Sequence, residues 1–140
     1  MEAVRGKGGE RHHLSIRDVN LATGLITIAL VVAGVVFVRR GGSPVAAAAA
    51  TIAGTIAVGK IASPQYALWL LPFFSLLTVR VWWWAVFTAS ELLFWVAFFA
   101  QGYVGGRGHI EQADFLRALV LVAMVPVFLR SREVIPVSEA

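Results

Sequence analysis

Four polar side chains lie close together between two apolar segments, and together they could bind a polar ligand. They are Lys60, Ser63, Gln65 and Tyr66. Lysine offers a positive charge and the other three offer neutral hydrogen-bond donors, a set that suits an anion such as phosphate. A helix that begins near Gln65 would add aligned backbone N–H groups. The residues leave an alternative equally open: an interfacial loop with a snorkelling lysine and a tyrosine of the aromatic belt.

Glu91 is a second candidate, because it is a carboxyl group in the middle of an apolar stretch, residues 81–100. By helical rise it would lie about 15 Å from either membrane surface. An ionisable group at that depth is costly and often functional, so it could carry protons or bind a ligand. The alternative is a structural glutamate, either protonated or paired with Thr88 or Ser90, that holds two helices together.

Nothing in the sequence indicates a metal centre or a cofactor site. The chain has no cysteine, and its three histidines do not form a ligand set with acidic residues at metal-binding spacing. Phosphate-binding glycine loops and dinucleotide fingerprints are also absent from the sequence. We therefore predict no metal and no cofactor, and no paired carboxylates in an extramembrane loop that could act as acid and base.

The composition indicates the class of protein that must position these residues. Hydrophobic residues make up 59% of the 140 residues and charged residues only 14%, whereas soluble domains carry about 25% charge. A small soluble domain cannot bury so much apolar surface, so we predict an integral membrane protein. The net charge of +4 comes mostly from arginines at segment ends, which favours contact with lipid headgroups over nucleic-acid binding.

Five apolar segments predict an all-α, polytopic membrane protein with about five transmembrane helices. The segments are residues 19–38, 44–59, 66–79, 81–100 and 115–129. The second and third are short and meet at the Ser63-Pro64 break, either as helices that end inside a cavity or as tilted spans joined by a loop. We expect a glycine-rich loop over 101–114. The fifth segment would be slightly longer if the Arg117 side chain extends toward the membrane surface.

These segments divide the chain into a polar N-terminal tail (1–18), a transmembrane helical domain (19–132) and a polar C-terminal tail (133–140). Within the second segment, Ala46, Ala50 and Gly54 recur every four residues. Small residues at this spacing let helices approach closely in lipid. We therefore expect a helix–helix contact on this face.

The polar cluster belongs to a longer motif that resembles one in the bacterial DUF2029 membrane proteins, glycosyltransferase family 87. The matching residues are Gly59-Lys60-x-x-Ser63-Pro64-Gln65-Tyr66-x-Leu68-Trp69-Leu70-Leu71-Pro72. These proteins are polyprenol-phosphate-mannose-dependent mannosyltransferases of the C-type superfamily. The resemblance covers roughly residues 19–132 and is strong only around the motif.

The resemblance implies a multi-pass protein of the cytoplasmic membrane that takes a polyprenyl-phosphate sugar as donor on the outer face. It implies that Lys60, Gln65 and Tyr66 line the donor or acceptor cavity. It places the N-terminus outside, and it places five arginines inside: Arg39, Arg40, Arg80, Arg130 and Arg132.

The chain departs from the family pattern in lacking the early external loop that carries the catalytic carboxylate. We therefore expect the C-terminal membrane portion of a hexosyl (mannosyl) transferase, truncated and inactive alone, whose partner would be the missing N-terminal half. Two alternatives stay open. One is a small independent carrier of lipid or protons that uses Glu91 and Lys60. The other is a helper subunit that packs on a larger transferase through the face of Ala46, Ala50 and Gly54.

Overall fold

The computed structural model describes residues 16–59, 64–104 and 108–134 of the chain. These residues form five α-helices and one 3₁₀ helix. The α-helices are α1 (Ile16–Arg39), α2 (Pro44–Val58), α3 (Leu71–Leu76), α4 (Val81–Val104) and α5 (Gly108–Arg130), and the 3₁₀ helix Pro64–Leu70 precedes α3. The predicted all-helical class is thus observed in the described part of the chain.

Three of the described helices, rather than the five predicted, are long and apolar enough to cross a membrane. They are α1, α4 over Val81–Ala100, and α5 over Ile110–Arg130. Helix α2 is apolar but has only 15 residues, about 22 Å of helical rise. This is short of the roughly 30 Å hydrocarbon core.

The predicted third span, residues 66–79, is not one helix. The chain forms the 3₁₀ helix from Pro64 to Leu70 and then the six-residue α3, with Pro72 in the first turn of α3. A proline has no N–H to donate and its ring crowds the preceding turn, so two prolines eight positions apart prevent a continuous α-helix.

Helices α1 and α2 form an antiparallel hairpin whose turn follows from local sequence. Gly41 adopts a left-handed conformation with φ of 88°, which costs a residue with a side chain about 1–2 kcal/mol. Ser43 caps α2: its Oγ accepts from the N–H of Ala46 at 3.0 Å, and Pro44 occupies the first turn. The predicted start of the second segment at Pro44 is therefore confirmed.

The described helices pack in the order α1, α2, α5, α4, and each is antiparallel to the next, while the 3₁₀ helix and α3 lie against α2 and α4. The small residues of α2 are at the centre of this arrangement. Ala46, Ala50 and Gly54 are buried, and a Cβ added at Gly54 would lie 2.8 Å from a methyl group of Leu30. The predicted close helix contact on this face thus forms within the chain itself.

A short antiparallel pairing joins the chain after α5 to the linker between α3 and α4. The backbone N–H of Thr78 donates to the carbonyl of Arg132 at 2.8 Å, and that of Val134 donates to the carbonyl of Leu76 at 3.0 Å. Ser43 donates its hydroxyl proton to the Glu133 carboxylate. These bonds place the start of α2, the start of α4 and the end of α5 at one end of the bundle.

The glycine-rich stretch predicted as a loop over 101–114 is mostly helical. Helix α4 continues to Val104, and α5 begins at Gly108, seven residues before the predicted start. Glycine weakens a helix by only about 1 kcal/mol. Ala113 and Arg117, in the first half of α5, are both buried, and their packing outweighs that local preference.

Candidate functional site

Unequal helix lengths create a recess at one end of the bundle. Helix α1 ends and α2 begins at the same turn, but α1 has 24 residues and α2 has 15. By helical rise, the last residue of α2 therefore lies about 14 Å short of the level of the first residue of α1. The 3₁₀ helix begins at this level with Pro64. The 3₁₀ helix, which carries Tyr66, therefore lies beside this recess and against α2.

An open cavity lies in this recess, between α1, α2 and the 3₁₀ helix. We call it the Tyr66 groove; it has a volume of about 460 Å³ and is lined by Asn20, Thr23, Thr55, Ile56, Gly59, Tyr66 and Trp69. The lining combines an amide, two hydroxyls and a phenol with aromatic and apolar surface. Binding sites for small molecules have this size and composition, in which a few polar groups orient a mainly apolar ligand.

The structure places the predicted cluster residues differently with respect to this groove. Tyr66 lines it, and its ring packs edge-on against the Trp69 ring with centroids 5.1 Å apart. Gln65 is exposed and does not line the groove. Lys60 and Ser63 lie outside the described residues, although Lys60 follows directly after Gly59, which lines the groove. Their roles stay predictions.

Glu91, the other predicted site residue, pairs with an arginine of the neighbouring helix. Its Oε1 accepts from Nε of Arg117 at 2.8 Å, and the two side chains are only 9% and 3% exposed. The guanidinium also lies over the Phe94 ring, 4.7 Å from its centroid. The Arg117 side chain therefore does not extend toward the membrane surface, the arrangement that would have lengthened the fifth segment. A carboxylate at its own depth neutralises the charge of the guanidinium instead.

This pair joins α4 to α5, so the glutamate holds two helices together through an arginine rather than through a hydroxyl. The nearby Ser90 donates instead to the carbonyl of Phe87 at 2.8 Å. The second carboxylate oxygen of Glu91, Oε2, is buried and has no hydrogen-bond partner in the described part of the chain. Sequence reasoning missed Arg117 as the partner, although a base and an acid in adjacent apolar segments were a usable signal.

The two ends of the bundle differ in charge. The end of the bundle that contains the Thr78–Arg132 pairing carries five arginines near the helix ends, and we call it the arginine end. These arginines are Arg39, Arg40, Arg80, Arg130 and Arg132. The Tyr66 groove lies at the opposite end, where the described part carries Arg17, Asp18 and Glu111 in first turns of helices. The described residues contain no group of three His, Cys, Asp or Glu residues that could hold a metal ion.

Comparison of the chain with protein-family models, with curated proteins and with solved structures found no match. The resemblance of the Gly59–Pro72 motif to the DUF2029 transferases is therefore a prediction from these residues alone.

Proposed function

We propose that the chain is the C-terminal membrane portion of a lipid-linked hexosyl (mannosyl) transferase, inactive alone, that helps to bind a polyprenyl-phosphate sugar donor. The observation that carries this proposal is the position of Tyr66. This motif residue lines a recessed groove of about 460 Å³ together with hydroxyl and amide side chains. Such a groove can contact a sugar and remain open to lipid on its side.

The depth of the groove supports a ligand that is itself anchored in the membrane. On α1 the groove is lined by Asn20 and Thr23, about 6 and 10 Å of helical rise from the start of this helix at Ile16, and Leu68 and Trp69 of the adjacent 3₁₀ helix are exposed. A prenyl chain would meet apolar surface there, while the phosphate and sugar would meet the polar lining. Short helices that end at polar breaks form substrate sites in other membrane proteins.

The charge difference between the two ends supports the orientation that this function needs. With residues 1–18 set aside, the sequence has five arginines at the arginine end and three basic residues, Lys60, Arg107 and Arg117, on the other side of the spans. Basic residues concentrate on the cytoplasmic side of membrane proteins, so the arginine end would face the cytoplasm. The Tyr66 groove would then open toward the outer face of the cytoplasmic membrane. This is the side on which the resemblance places sugar transfer from a polyprenyl-phosphate donor.

Binding of polyprenyl-phosphate mannose to the purified chain in detergent micelles tests the proposal. We expect saturable binding, and at least a tenfold weaker affinity in Tyr66→Ala, equivalent to about 1.4 kcal/mol. Trp84→Ala is the control, because Trp84 is likewise an aromatic residue that is not buried but lies at the arginine end. Equal affinities of the parent chain and Tyr66→Ala would show that the donor does not bind in the Tyr66 groove.

The transferase part of the proposal needs a separate experiment. The DNA upstream of Met1, or a neighbouring gene, should encode further spans and an external loop with an acidic residue, since the proton of the acceptor hydroxyl requires a base. Co-expression with that segment should produce mannosyl transfer that the chain alone does not. An independent promoter, with no such upstream sequence, would contradict this part of the proposal.

The unpartnered oxygen of Glu91 favours a second candidate, a small carrier that moves lipid or protons. A buried carboxylate in mid-membrane is a usual element of such pathways, but a carrier would have to break the Arg117 pair in each cycle. Flipping of a labelled polyprenyl-phosphate sugar in vesicles, abolished by Glu91→Gln in a variant that circular dichroism shows to be folded, would support it. The third alternative is a helper subunit that packs on a larger transferase through Ala46, Ala50 and Gly54. That face is buried within the chain, so it is not available for contact with a partner.

A further inference from the structure

A second groove lies between α1 and α2 at the arginine end of the hairpin. We call it the Arg39 groove; it has a volume of about 510 Å³ and is lined by Val31, Gly34, Val35, Val38, Arg39, Ala47, Ala48, Thr51 and Ile52. Apart from Arg39 at one end and Thr51, the lining is aliphatic. From Val31 to Arg39 it extends about 12 Å along α1.

Small residues produce this groove. Gly34 is one of the positions where the two helices approach closely, because a Cβ added there would lie 2.9 Å from Oγ1 of Thr51. Ala48 of α2 is exposed on the outer side of this contact, and its small side chain leaves a space there. On α1, the exposed side chains of Val31 and Val35 border the same space. The groove is therefore a feature of the packed hairpin that faces lipid.

Charge selects the kind of molecule that fits. Arg39 is exposed at the end of α1 and, among the described residues, it forms no ion pair. Its position, where the apolar groove meets the headgroup region, matches a molecule with one apolar chain and an adjacent anionic group. Arginine binds a phosphate through two parallel N–H bonds, a geometry that lysine lacks.

We propose that the Arg39 groove binds one anionic phospholipid of the leaflet at the arginine end, with an acyl chain along the groove and its phosphate on Arg39. This site is distinct from the Tyr66 groove, which lies at the other end of the bundle, and it does not depend on the proposed transferase function. According to this proposal, one specific lipid stays bound to the α1–α2 hairpin, whereas the surrounding lipids exchange with the bulk membrane.

Native mass spectrometry of the chain in detergent tests this proposal with phosphatidylglycerol and phosphatidylcholine of equal chain length as probes. We expect one phosphatidylglycerol bound more tightly than any further lipid. Arg39→Gln should weaken phosphatidylglycerol binding about fivefold, the effect of one basic residue at a membrane surface, and should weaken phosphatidylcholine binding less, because the choline cation offsets the phosphate charge that attracts Arg39. Arg80→Gln, which removes an exposed arginine of the same end outside the groove, should have no effect.

Filling the groove separates this site from simple surface attraction. Ala48→Leu should lower the affinity for both lipids, whereas Ala89→Leu, an equal change at an exposed position of α4, should not. Circular dichroism verifies that both variants fold. Unchanged lipid binding in Ala48→Leu would overturn the proposal, and so would conversion of a dimer to a monomer by this variant, since the groove would then bind a second copy of the chain.

Discussion

Removal of the negative charge of Glu91 is the perturbation for which the structure makes the sharpest prediction. Glu91→Gln keeps the size of the side chain and can still accept a hydrogen bond from Arg117. It leaves the guanidinium, whose side chain is only 3% exposed, without its closest opposite charge. The variant therefore tests electrostatics rather than packing.

The expected loss in the free energy of unfolding is about 3 kcal/mol. Breaking a buried ion pair by removing one partner costs roughly 3–5 kcal/mol. We expect the lower end because Asp114 Oδ1 lies 3.9 Å from Nη1 of Arg117 and partly compensates the charge. Neutral hydrogen bonds between membrane helices average about 0.6 kcal/mol, so a hydrogen bond alone would not produce this loss.

Unfolding by SDS in mixed micelles, followed by circular dichroism, measures this free energy. The double variant Glu91→Gln/Arg117→Met removes both charges, and we expect it to lose less stability than Glu91→Gln alone, because no buried charge is then left unpaired. Asp114→Asn is the control: this side chain is 48% exposed, so its loss should cost less than about 1 kcal/mol.

Two results would refute the reasoning. One is a loss below about 1 kcal/mol in Glu91→Gln, equal to that of the Asp114 control, since the pair would then behave like a surface contact. The other is a double variant whose loss equals the sum of the two single losses, because residues that interact directly must show a coupling energy in the cycle.

Two further predictions concern the turn and the cap of the α1–α2 hairpin. Gly42→Ala should lower the free energy of unfolding by about 1–3 kcal/mol, because a Cβ there would lie 2.2 Å from the Phe37 ring; Gly24→Ala, with no atom near the added Cβ, should not destabilise the chain in the same SDS titration. Ser43→Ala should cost about 1–2 kcal/mol, since it removes both the cap of α2 and the bond to Glu133. An equal midpoint of unfolding for Ser43→Ala and the parent chain would show that this cap is replaced by solvent or headgroups.

Much of the helical layout could be predicted because it depends on local sequence. The long apolar runs of α1 and α4 indicate spans, since the length of a membrane helix is determined by the thickness of the bilayer. The Gly41–Pro44 turn carries its own signals, a glycine with positive φ, a capping serine and a proline at the helix start. The start of the 3₁₀ helix at Pro64 agrees in the same way with the geometry of proline.

The number of spans and the start of α5 could not be predicted from local signals. The hydropathy of residues 66–79 does not distinguish one continuous helix from a 3₁₀ helix followed by the short α3, because both contain the same apolar residues. The glycine-rich residues before Phe115 favour a loop until Ala113 and Arg117 are buried against the neighbouring helix. In both cases tertiary packing outweighs a propensity of about 1 kcal/mol per residue.

The sequence by itself determined the membrane-protein class, the turn of the first hairpin and the presence of a polar cluster around Tyr66. Only the tertiary structure decided that Tyr66 lines a recessed groove, that Glu91 pairs with Arg117, and that the small face of α2 is buried inside the chain. The physical reason is range. Composition, caps and prolines act over a few residues, whereas a groove or an ion pair between positions 26 residues apart requires the relative positions of whole helices.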